Sequence, residues 1–385
     1  MPEELVIAIV GCGGMADAHR RGYQMLWQSG YRKFQIAATC DVKLERAEAM
    51  ADKVAEFQGK RPKAYDDLEE MLSTEKGLSA ADICTPHRDH HELAIACFEA
   101  GLHVTIEKPL AITLRAGRKM IETAKARGKV LQVAENYKKA PSQRAIKWAL
   151  KMGFIGKPRM LFWVDTFERL WYWDWREHKE IAGGGWTLDG GVHYADMMRY
   201  YIGEVDEVFA ISMRLMPVRY RKPETREEPV EITVEDTTMA LLKFQDGTPA
   251  QWSLTSAAPG KSYTMRIIYG EEGCIDMQEG LYGRNTRKTL EELTNEFMES
   301  ISDEEREALF PMGITDTVAI ELHEFIEGVL HGKPIETDGV EGYKSQAVCM
   351  AVYESAWLNS PVKVKAVEDG EIEGYQAELN AQLGL

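Results

Sequence analysis

The first third of the chain alternates between short apolar runs and longer segments with helical periodicity. Leu5 to Val10 is a continuous apolar run, and a glycine turn and a helical stretch from about Ala16 to Ser29 follow it. Helical segments also separate further apolar runs at residues 34–40, 64–65, 81–84, 103–107 and 130–134. Continuous apolar strands are typical of a sheet that is buried on both faces. Repeated strand–helix units of this length predict a doubly wound parallel sheet.

The pattern changes after about Asn136. Apolar and polar residues alternate in long segments at residues 159–166, 205–213, 237–244, 248–255 and 264–269. Alternation of this kind predicts strands of a half-exposed, mostly antiparallel sheet. Helical segments accompany these strands at residues 142–152, 192–201, 317–330 and 345–359. We therefore predict an α/β protein in which residues 1–135 form the doubly wound domain and residues 136–385 form an α+β domain with a large open sheet.

Charge and composition exclude several classes of protein. The net charge is 46 − 62 = −16, which disfavours a nucleic-acid partner because such proteins need clustered Lys and Arg. No run approaches the roughly 20 apolar residues of a membrane span, and the N-terminus does not resemble a secretory signal. The six cysteines are scattered without a CxxC pair, so we expect reduced thiols, no metal, no membrane partner and a cytoplasmic location.

A glycine-rich turn links the first strand to the first helix. Its residues Gly11, Gly13, Gly14, Met15 and Ala16 follow the pattern G-x-G-x-x-A. Gly11 allows a tight turn, Gly13 lets the backbone approach a pyrophosphate, and Ala16 permits close helix–strand packing. The helix N-terminus then offers free N–H groups to phosphate. The sequence therefore predicts a Rossmann-type domain that binds a dinucleotide.

Asp41 ends the second predicted strand, where the adenine ribose of a dinucleotide lies in this fold. Its carboxylate can accept both ribose hydroxyls and would repel a 2′-phosphate, which predicts NAD rather than NADP. The alternative interpretation is a helix N-cap for the segment that begins at Leu44. The two roles are compatible.

Four motifs resemble the glucose–fructose oxidoreductase and inositol dehydrogenase family. They are Thr85-Pro86-His87-Arg88-Asp89-His90, Ala100-Gly101-Leu102-His103-Val104, Thr105-Ile106-Glu107-Lys108-Pro109-Leu110, and the run from Gly183 to His193. The resemblance extends from about residue 5 to about residue 365. It implies a dehydrogenase that moves a hydride between NAD and a carbon bearing a hydroxyl, on a sugar or cyclitol.

The resemblance also implies roles for individual residues. Lys108 matches the family's catalytic lysine, and Asp189 and His193 match the pair that flanks the reacting hydroxyl. The cofactor loop is implied at Thr85, Pro86, His87 and His90, where His87 replaces the family's usual Asn, and Glu107 joins this site. Substrate contacts are implied for Lys108, Asp189 and His193 and for the more variable positions Tyr137, Trp175 and Arg176.

The residue types agree with this chemistry. Asp189 and His193 are four residues apart, so a helix would place them on one face, where a carboxylate can orient an imidazole. A nicotinamide cation would disfavour the protonated form of Lys108, which could then accept an alcohol proton. The alternatives are a core histidine and a solvated lysine.

Two further clusters allow more than one interpretation. The aromatic run from Trp171 to Trp175 could form a carbohydrate platform, or it could be a core or dimer contact. His87, His90 and His91 lie close in sequence, as metal ligands can, but no acidic ligand set accompanies them.

Three function classes and one assembly follow from the sequence. The first class is an NAD(H)-dependent sugar or cyclitol dehydrogenase. The second is a glycoside-processing enzyme that uses bound NAD transiently, and the third is a non-catalytic NAD-binding sensor. Because one face of the second sheet lacks obvious helices, we also expect a homodimer or homotetramer.

Overall fold

The computed structural model describes residues 4–385. Strands and helices alternate through the first part of the chain, with the bounds β1 (Leu5–Val10), α1 (Gly14–Gln28), β2 (Phe34–Cys40), α2 (Leu44–Gln58), β3 (Lys63–Tyr65), α3 (Leu68–Thr74), β4 (Ala80–Ile83), α4 (His90–Glu99), β5 (His103–Glu107), α5 (Leu114–Ala126) and β6 (Leu131–Ala134). Across the described residues, no helix combines the length and the hydropathy needed to cross a membrane.

The six strands form one parallel sheet in the order β3-β2-β1-β4-β5-β6. The sequence order reverses between β1 and β4, and doubly wound sheets bind ligands at the carboxyl ends of strands beside such a point. The loops after β1, β2, β4 and β5 carry the glycine turn, Asp41, Thr85 and Lys108. The predicted doubly wound sheet is confirmed.

The rest of the chain begins with α6 (Pro141–Lys151), β7 (Pro158–Thr166), α7 (Lys179–Ala182), α8 (Trp186–Asp189) and α9 (Gly191–Tyr201). The strands β8 (Val205–Met213), β9 (Val218–Lys222), β10 (Glu227–Glu231), β11 (Thr237–Phe244), β12 (Pro249–Thr255), β13 (Tyr263–Gly270), β14 (Gly273–Asp276), β15 (Gly280–Gly283) and β16 (Arg287–Thr289) follow. The remaining elements are α10 (Leu290–Ser300), α11 (Asp303–Leu309), α12 (Thr317–His331), α13 (Gly339–Leu358), β17 (Val362–Lys363), α14 (Val364–Glu368) and α15 (Ala377–Gln382).

Nine of these strands form a second sheet in the order β16-β15-β14-β13-β7-β12-β11-β8-β17. Its neighbours are antiparallel except for the parallel pair β7–β12, so the predicted mostly antiparallel sheet is confirmed. Trp163 and Trp252 lie on its buried face. There the Trp163 ring packs 4.8 Å from the ring of Tyr194 on α9.

The chain divides into two compact units. One contains residues up to 111 with 116–140 and 302–343, and the other contains residues 112–115, 141–301 and 344–385. A boundary at residue 135, as the sequence suggests, would assign α12 to the second domain. In the structure α12 packs with the first unit, where Glu327 accepts a hydrogen bond from the Tyr31 hydroxyl at 2.8 Å. A Cβ atom at Gly22 of α1 would lie 3.0 Å from Leu322, so the two helices approach closely.

Candidate cofactor and active site

The glycine turn after β1 is shaped by close contact at one glycine and open space at the next two. Gly11 has φ +82°, and a Cβ there would lie 2.7 Å from the Thr85 side chain. No atom lies within 4 Å of the Cβ positions of Gly13 and Gly14. Gly11 is therefore required by the turn itself, whereas Gly13 and Gly14 leave room for a bound group to approach the backbone.

Helix α1 begins directly behind this open space. The Asp17 N–H donates to the Gly13 carbonyl, so the N–H groups of Gly14, Met15 and Ala16 precede the first helical hydrogen bond. Ala16 is fully buried, while Met15 is exposed. A helix N-terminus with this geometry suits a phosphate, and the turn fits the pyrophosphate of a dinucleotide.

Asp41 connects the end of β2 to the glycine turn. Its Oδ2 accepts the Cys12 N–H at 2.8 Å, and its Oδ1 accepts the Lys43 N–H at 2.9 Å. The N-cap of α2 is Lys43 rather than Asp41. The structure thus replaces the alternative helix-cap role of Asp41 with a bond that fixes the turn, and its carboxylate retains lone pairs for a ribose.

The loop after β4 contains a buried hydroxyl and a bridging histidine. Within residues 4–385, the Thr85 hydroxyl is buried without a hydrogen-bond partner, which fits a loop that faces a bound cofactor. The His90 ring lies 2.9 Å from the Pro109 carbonyl and 3.1 Å from the Thr85 carbonyl. Burial lowers the pKa of His90 to about 4, so the ring is neutral near pH 7 and donates to one of the two.

The three histidines that lie close in sequence, His87, His90 and His91, are also close to one another in the structure. The rings of His87 and His90 lie 5.7 Å apart, and His91 is also buried. Both nitrogens of His90 face backbone carbonyls, which makes it a brace between the loops after β4 and β5.

Glu107 and Lys108 lie at the end of β5. Glu107 is buried, and its Oε2 accepts the Lys108 N–H at 3.1 Å. Lys108 is half-buried, and the Lys108–Pro109 peptide bond is cis. The backbone that carries the lysine is thus fixed by the side chain of the preceding glutamate.

In the second unit, a run of three glycines leads into α8. A Cβ at Gly183 would lie 2.8 Å from Ile112, one at Gly184 would lie 2.2 Å from the Tyr353 hydroxyl, and one at Gly185 would lie 2.4 Å from the Glu235 carbonyl. These contacts leave no space for larger side chains. The turn therefore packs directly on its surroundings before the chain reaches Asp189.

Glu235 and Tyr353 hold this turn, and sequence reasoning missed both. The Glu235 carboxylate accepts the N–H groups of Gly185 at 2.8 Å and Thr187 at 3.1 Å, and the Tyr353 hydroxyl at 2.9 Å. Burial nevertheless raises the pKa of Glu235 above its usual value. Neither residue stands in a recognisable motif, so only the fold identifies them.

Asp189 and His193 lie on either side of the junction between α8 and α9. Asp189 ends α8 and His193 is in the first turn of α9, and both are buried. The sequence predicted one helix; the structure has two, joined through Gly190 in a right-handed helical conformation. Arg176 Nε lies 3.4 Å from Asp189 Oδ2, so a predicted substrate residue pairs with the predicted catalytic carboxylate.

The aromatic run packs around the same arginine. The Arg176 guanidinium lies 4.8 Å from the Trp173 ring and 4.3 Å from the Trp175 ring. Trp173 also packs 5.6 Å from Trp186 of α8, whereas Trp171 is 45% exposed. Trp173 and Trp175 thus support Arg176, and Trp171 is left as the accessible ring.

Other predicted residues belong to the first unit. Tyr137 is 43% exposed in a short 3₁₀ turn after β6. Lys108 also lies in the first unit, whereas Asp189 and His193 lie in the second. Convergence of the three catalytic residues stays a prediction.

Comparison with known proteins identifies the family. The profile described as "Oxidoreductase family, NAD-binding Rossmann fold" matches residues 5–135, and that of the family's C-terminal alpha/beta domain matches residues 147–364. The chain is 28% identical to levoglucosan dehydrogenase of Pseudarthrobacter phenanthrenivorans, over 93% of this chain and 99% of that protein. It is 27% identical to D-glucoside 3-dehydrogenase of Escherichia coli, over 94% and 97%.

A solved structure of levoglucosan dehydrogenase in complex with NADH superimposes with a TM-score of 0.75 at 25% identity, covering 94% of this chain and 99% of that one. Both family domains are therefore present in order and at nearly full length. The chain belongs to the glucose–fructose oxidoreductase and inositol dehydrogenase (Gfo/Idh/MocA) family, and it is an NAD-dependent oxidoreductase.

Proposed function

We propose that the protein is a dehydrogenase that oxidises a secondary alcohol of a sugar, sugar derivative or cyclitol, or reduces the corresponding ketone. The names of the two relatives, which describe dehydrogenases of an anhydrosugar and a glucoside, support this substrate class. The substrate panel described below addresses which compound is oxidised by NAD⁺.

The proposed chemistry separates a hydride from a proton. NAD⁺ supplies the hydride acceptor when it is bound. The residues of the chain handle the hydroxyl proton: Lys108 accepts it as the carbon is oxidised, and His193 donates or accepts a hydrogen bond at the same oxygen. Asp189 orients the His193 imidazole through its carboxylate. In the reduction direction, each proton movement is reversed.

The observation that carries the proposal is the junction of α8 and α9. A buried carboxylate, Asp189, and a buried imidazole, His193, lie on either side of Gly190 and Gly191 there. The positive charge of Arg176 beside Asp189 favours the ionised form of this carboxylate. An ionised carboxylate can accept a hydrogen bond from an imidazole such as that of His193. A sensor that only bound NAD would have no need for this costly arrangement of buried polar groups.

The glycoside-processing alternative uses the same residues with a different outcome. In that reaction NAD is reduced and reoxidised within one turnover, so free NADH does not accumulate. No contact among residues 4–385 favours this alternative, and both relatives compared above carry dehydrogenase names.

A substrate panel tests the proposal. The purified protein is incubated with NAD⁺ and single sugars, methyl glycosides, anhydrosugars or inositols, and NADH is followed by its absorbance. We expect stoichiometric NADH release with at least one compound. Cleavage of a glycoside without net NADH would instead indicate the second class, and NAD binding without turnover of any compound would indicate the sensor.

A further inference from the structure

A row of buried charged side chains lies under the backbone that carries Lys108. His19 of α1 is fully buried, and its Nδ1 lies 2.9 and 3.0 Å from the two carboxylate oxygens of Asp82 on β4. Its Nε2 lies 3.1 Å from Oε1 of Glu107 at the end of β5. The second oxygen of Glu107 accepts the Lys108 N–H. The four residues therefore form one continuous hydrogen-bonded chain.

The geometry fixes the charge of the histidine. A carboxylate faces each ring nitrogen, and ionised carboxylates only accept hydrogen bonds, so both nitrogens donate and the ring is an imidazolium. Burial alone would lower the pKa of His19, but its interactions with Asp82 and Cys84 together hold this pKa well above its usual value. His19 is the cation between two anions.

Three further titratable side chains, Tyr23, Cys84 and Glu321, lie around this row. Tyr23 of α1 lies beside Asp82, and the Sγ atom of Cys84, directly after β4, lies 3.6 Å from Nδ1 of His19. Burial raises the pKa of both groups, so both stay protonated. Glu321 of α12 faces the row as well, and burial raises its pKa well above the usual value.

We propose that His19 is a positioning residue for Lys108 and acts through Glu107; this inference rests on the proposed function. Without the imidazolium, Glu107 would be a buried carboxylate with Asp82 nearby and no cation between them. Such a carboxylate takes up a proton or turns towards another donor. The Lys108 N–H would then lose its fixed acceptor, and small displacements of a catalytic group can cost up to about 100-fold in rate.

The test compares His19→Gln with Tyr23→Phe. Glutamine keeps a polar side chain but cannot place a cation between two carboxylates, whereas Tyr23→Phe removes a buried polar atom one turn further along the same helix. We expect His19→Gln to lower kcat about 10- to 100-fold while the Kd for NADH, measured by fluorescence titration, changes by less than about 3-fold. Tyr23→Phe should leave both quantities near those of the unmodified enzyme.

The pH profile separates positioning from a loss of folding. In His19→Gln, kcat per NADH-binding site should rise with pH as Glu107 loses its proton, and this new acid limb should be absent from the unmodified enzyme. An unchanged kcat per site and an unchanged pH profile in His19→Gln would overturn the inference. If His19→Gln does not fold, Asp82→Asn replaces it, because it keeps the shape and removes the carboxylate that stabilises the imidazolium. We expect the same acid limb there, and its absence would also overturn the inference.

Lys108→Ala in the same assay distinguishes this inference from the proposed function. If Lys108→Ala is inactive and His19→Gln is fully active, only the positioning role of His19 fails. If Lys108→Ala itself keeps normal turnover, the proposed mechanism fails, and the positioning of Lys108 fails with it.

Discussion

The Asp41 carboxylate accepts the backbone N–H of Cys12 at 2.8 Å. Asp41, which we expect to bind the adenine ribose, therefore also forms a hydrogen bond to the glycine turn that we expect to bind the pyrophosphate. We therefore expect this side chain to serve both cofactor selection and the shape of the glycine turn, and substitutions can separate the two roles.

We expect Asp41→Asn and Asp41→Ala to differ. Asparagine keeps an acceptor oxygen but loses the charge, so the preference for NADH over NADPH should fall about 10-fold while the turn stays ordered. Alanine removes both acceptors, so the affinity for both dinucleotides should fall. Isothermal titration calorimetry with NADH and NADPH measures these changes. Tighter binding of NADPH than NADH by the unmodified protein would contradict the assignment.

Glu235 offers a test of the turn before Asp189. The N–H groups of Gly185 and Thr187 bond to different oxygens of Glu235. Glu235→Gln replaces one of these oxygens with an NH2 donor, which opposes one of the two N–H groups, so the start of α8 should lose one of its two fixed contacts. We expect a fall in kcat of about 10-fold or more and a lower Tm. Tyr353→Phe is the matched control, since it removes one hydrogen bond to Glu235 but leaves both backbone contacts. Equal kcat values for the two variants would argue against this role.

One face of the nine-stranded sheet carries exposed apolar side chains. Met239 and Leu241 on β11 lie opposite Ile211 and Phe209 on β8, and all four are exposed, Leu241 by 61%. Large exposed apolar patches of this kind are usually covered by another subunit. We therefore propose that a second copy of the chain covers this face.

Leu241→Lys should convert the assembly to monomers, because it places a charge at the centre of the patch. Leu215→Lys is the control: Leu215 is 57% exposed but lies outside the sheet. Light scattering at micromolar concentration measures the mass. A monomeric unmodified protein, or a Leu241→Lys variant with unchanged mass, would refute the proposed interface.

The lowered pKa of His90 predicts that the free energy of unfolding depends on pH. Its folded pKa is lowered to about 4 by burial, below the value near 6.5 of an unfolded histidine. Between these two pKa values the unfolded chain binds a proton that the folded chain does not. The contribution of the neutral His90 ring to stability is therefore present above about pH 6.5 and is lost as the pH falls towards 4. The loss is about 1.4 kcal/mol per pH unit.

Thermal denaturation between pH 4 and pH 8 checks this expectation for His90→Gln. The variant should be less stable at pH 7, and its difference from the unmodified protein should shrink as the pH falls. His331→Gln, which replaces an exposed histidine, should keep the slope of the unmodified protein. A constant difference between His90→Gln and the unmodified protein across the range would show that the ring does not titrate as proposed.

The parts of the site that depend on short-range patterns were accessible from the sequence. Gly11, Asp41 and Thr85 follow the buried strands β1, β2 and β4, and the apolar runs define where those strands end. The carboxyl ends of parallel strands meet at one edge, so the placement of the cofactor loops follows from the order of elements alone.

Long-range partners were not accessible in the same way. Glu235 meets Gly185 across 50 residues, and no periodicity or motif marks such a hydrogen bond. The parallel pairing of β7 with β12 and the packing of α12 on α1 depend on tertiary contacts for the same reason. No motif in the sequence marks His19, because Asp82 and Glu107 reach it only in the folded sheet.

We expect Lys108 and His193 to serve one proton transfer that accompanies hydride transfer. The most direct measurement is kcat of Lys108→Ala, His193→Ala and the double variant on the best substrate of the panel, with NADH affinity measured alongside. Each single variant should lose ~10²–10⁴-fold, the double variant should lose little more, Asp189→Asn should lose less than His193→Ala, and NADH affinity should change far less. Near-normal turnover in both Lys108→Ala and His193→Ala would contradict the account.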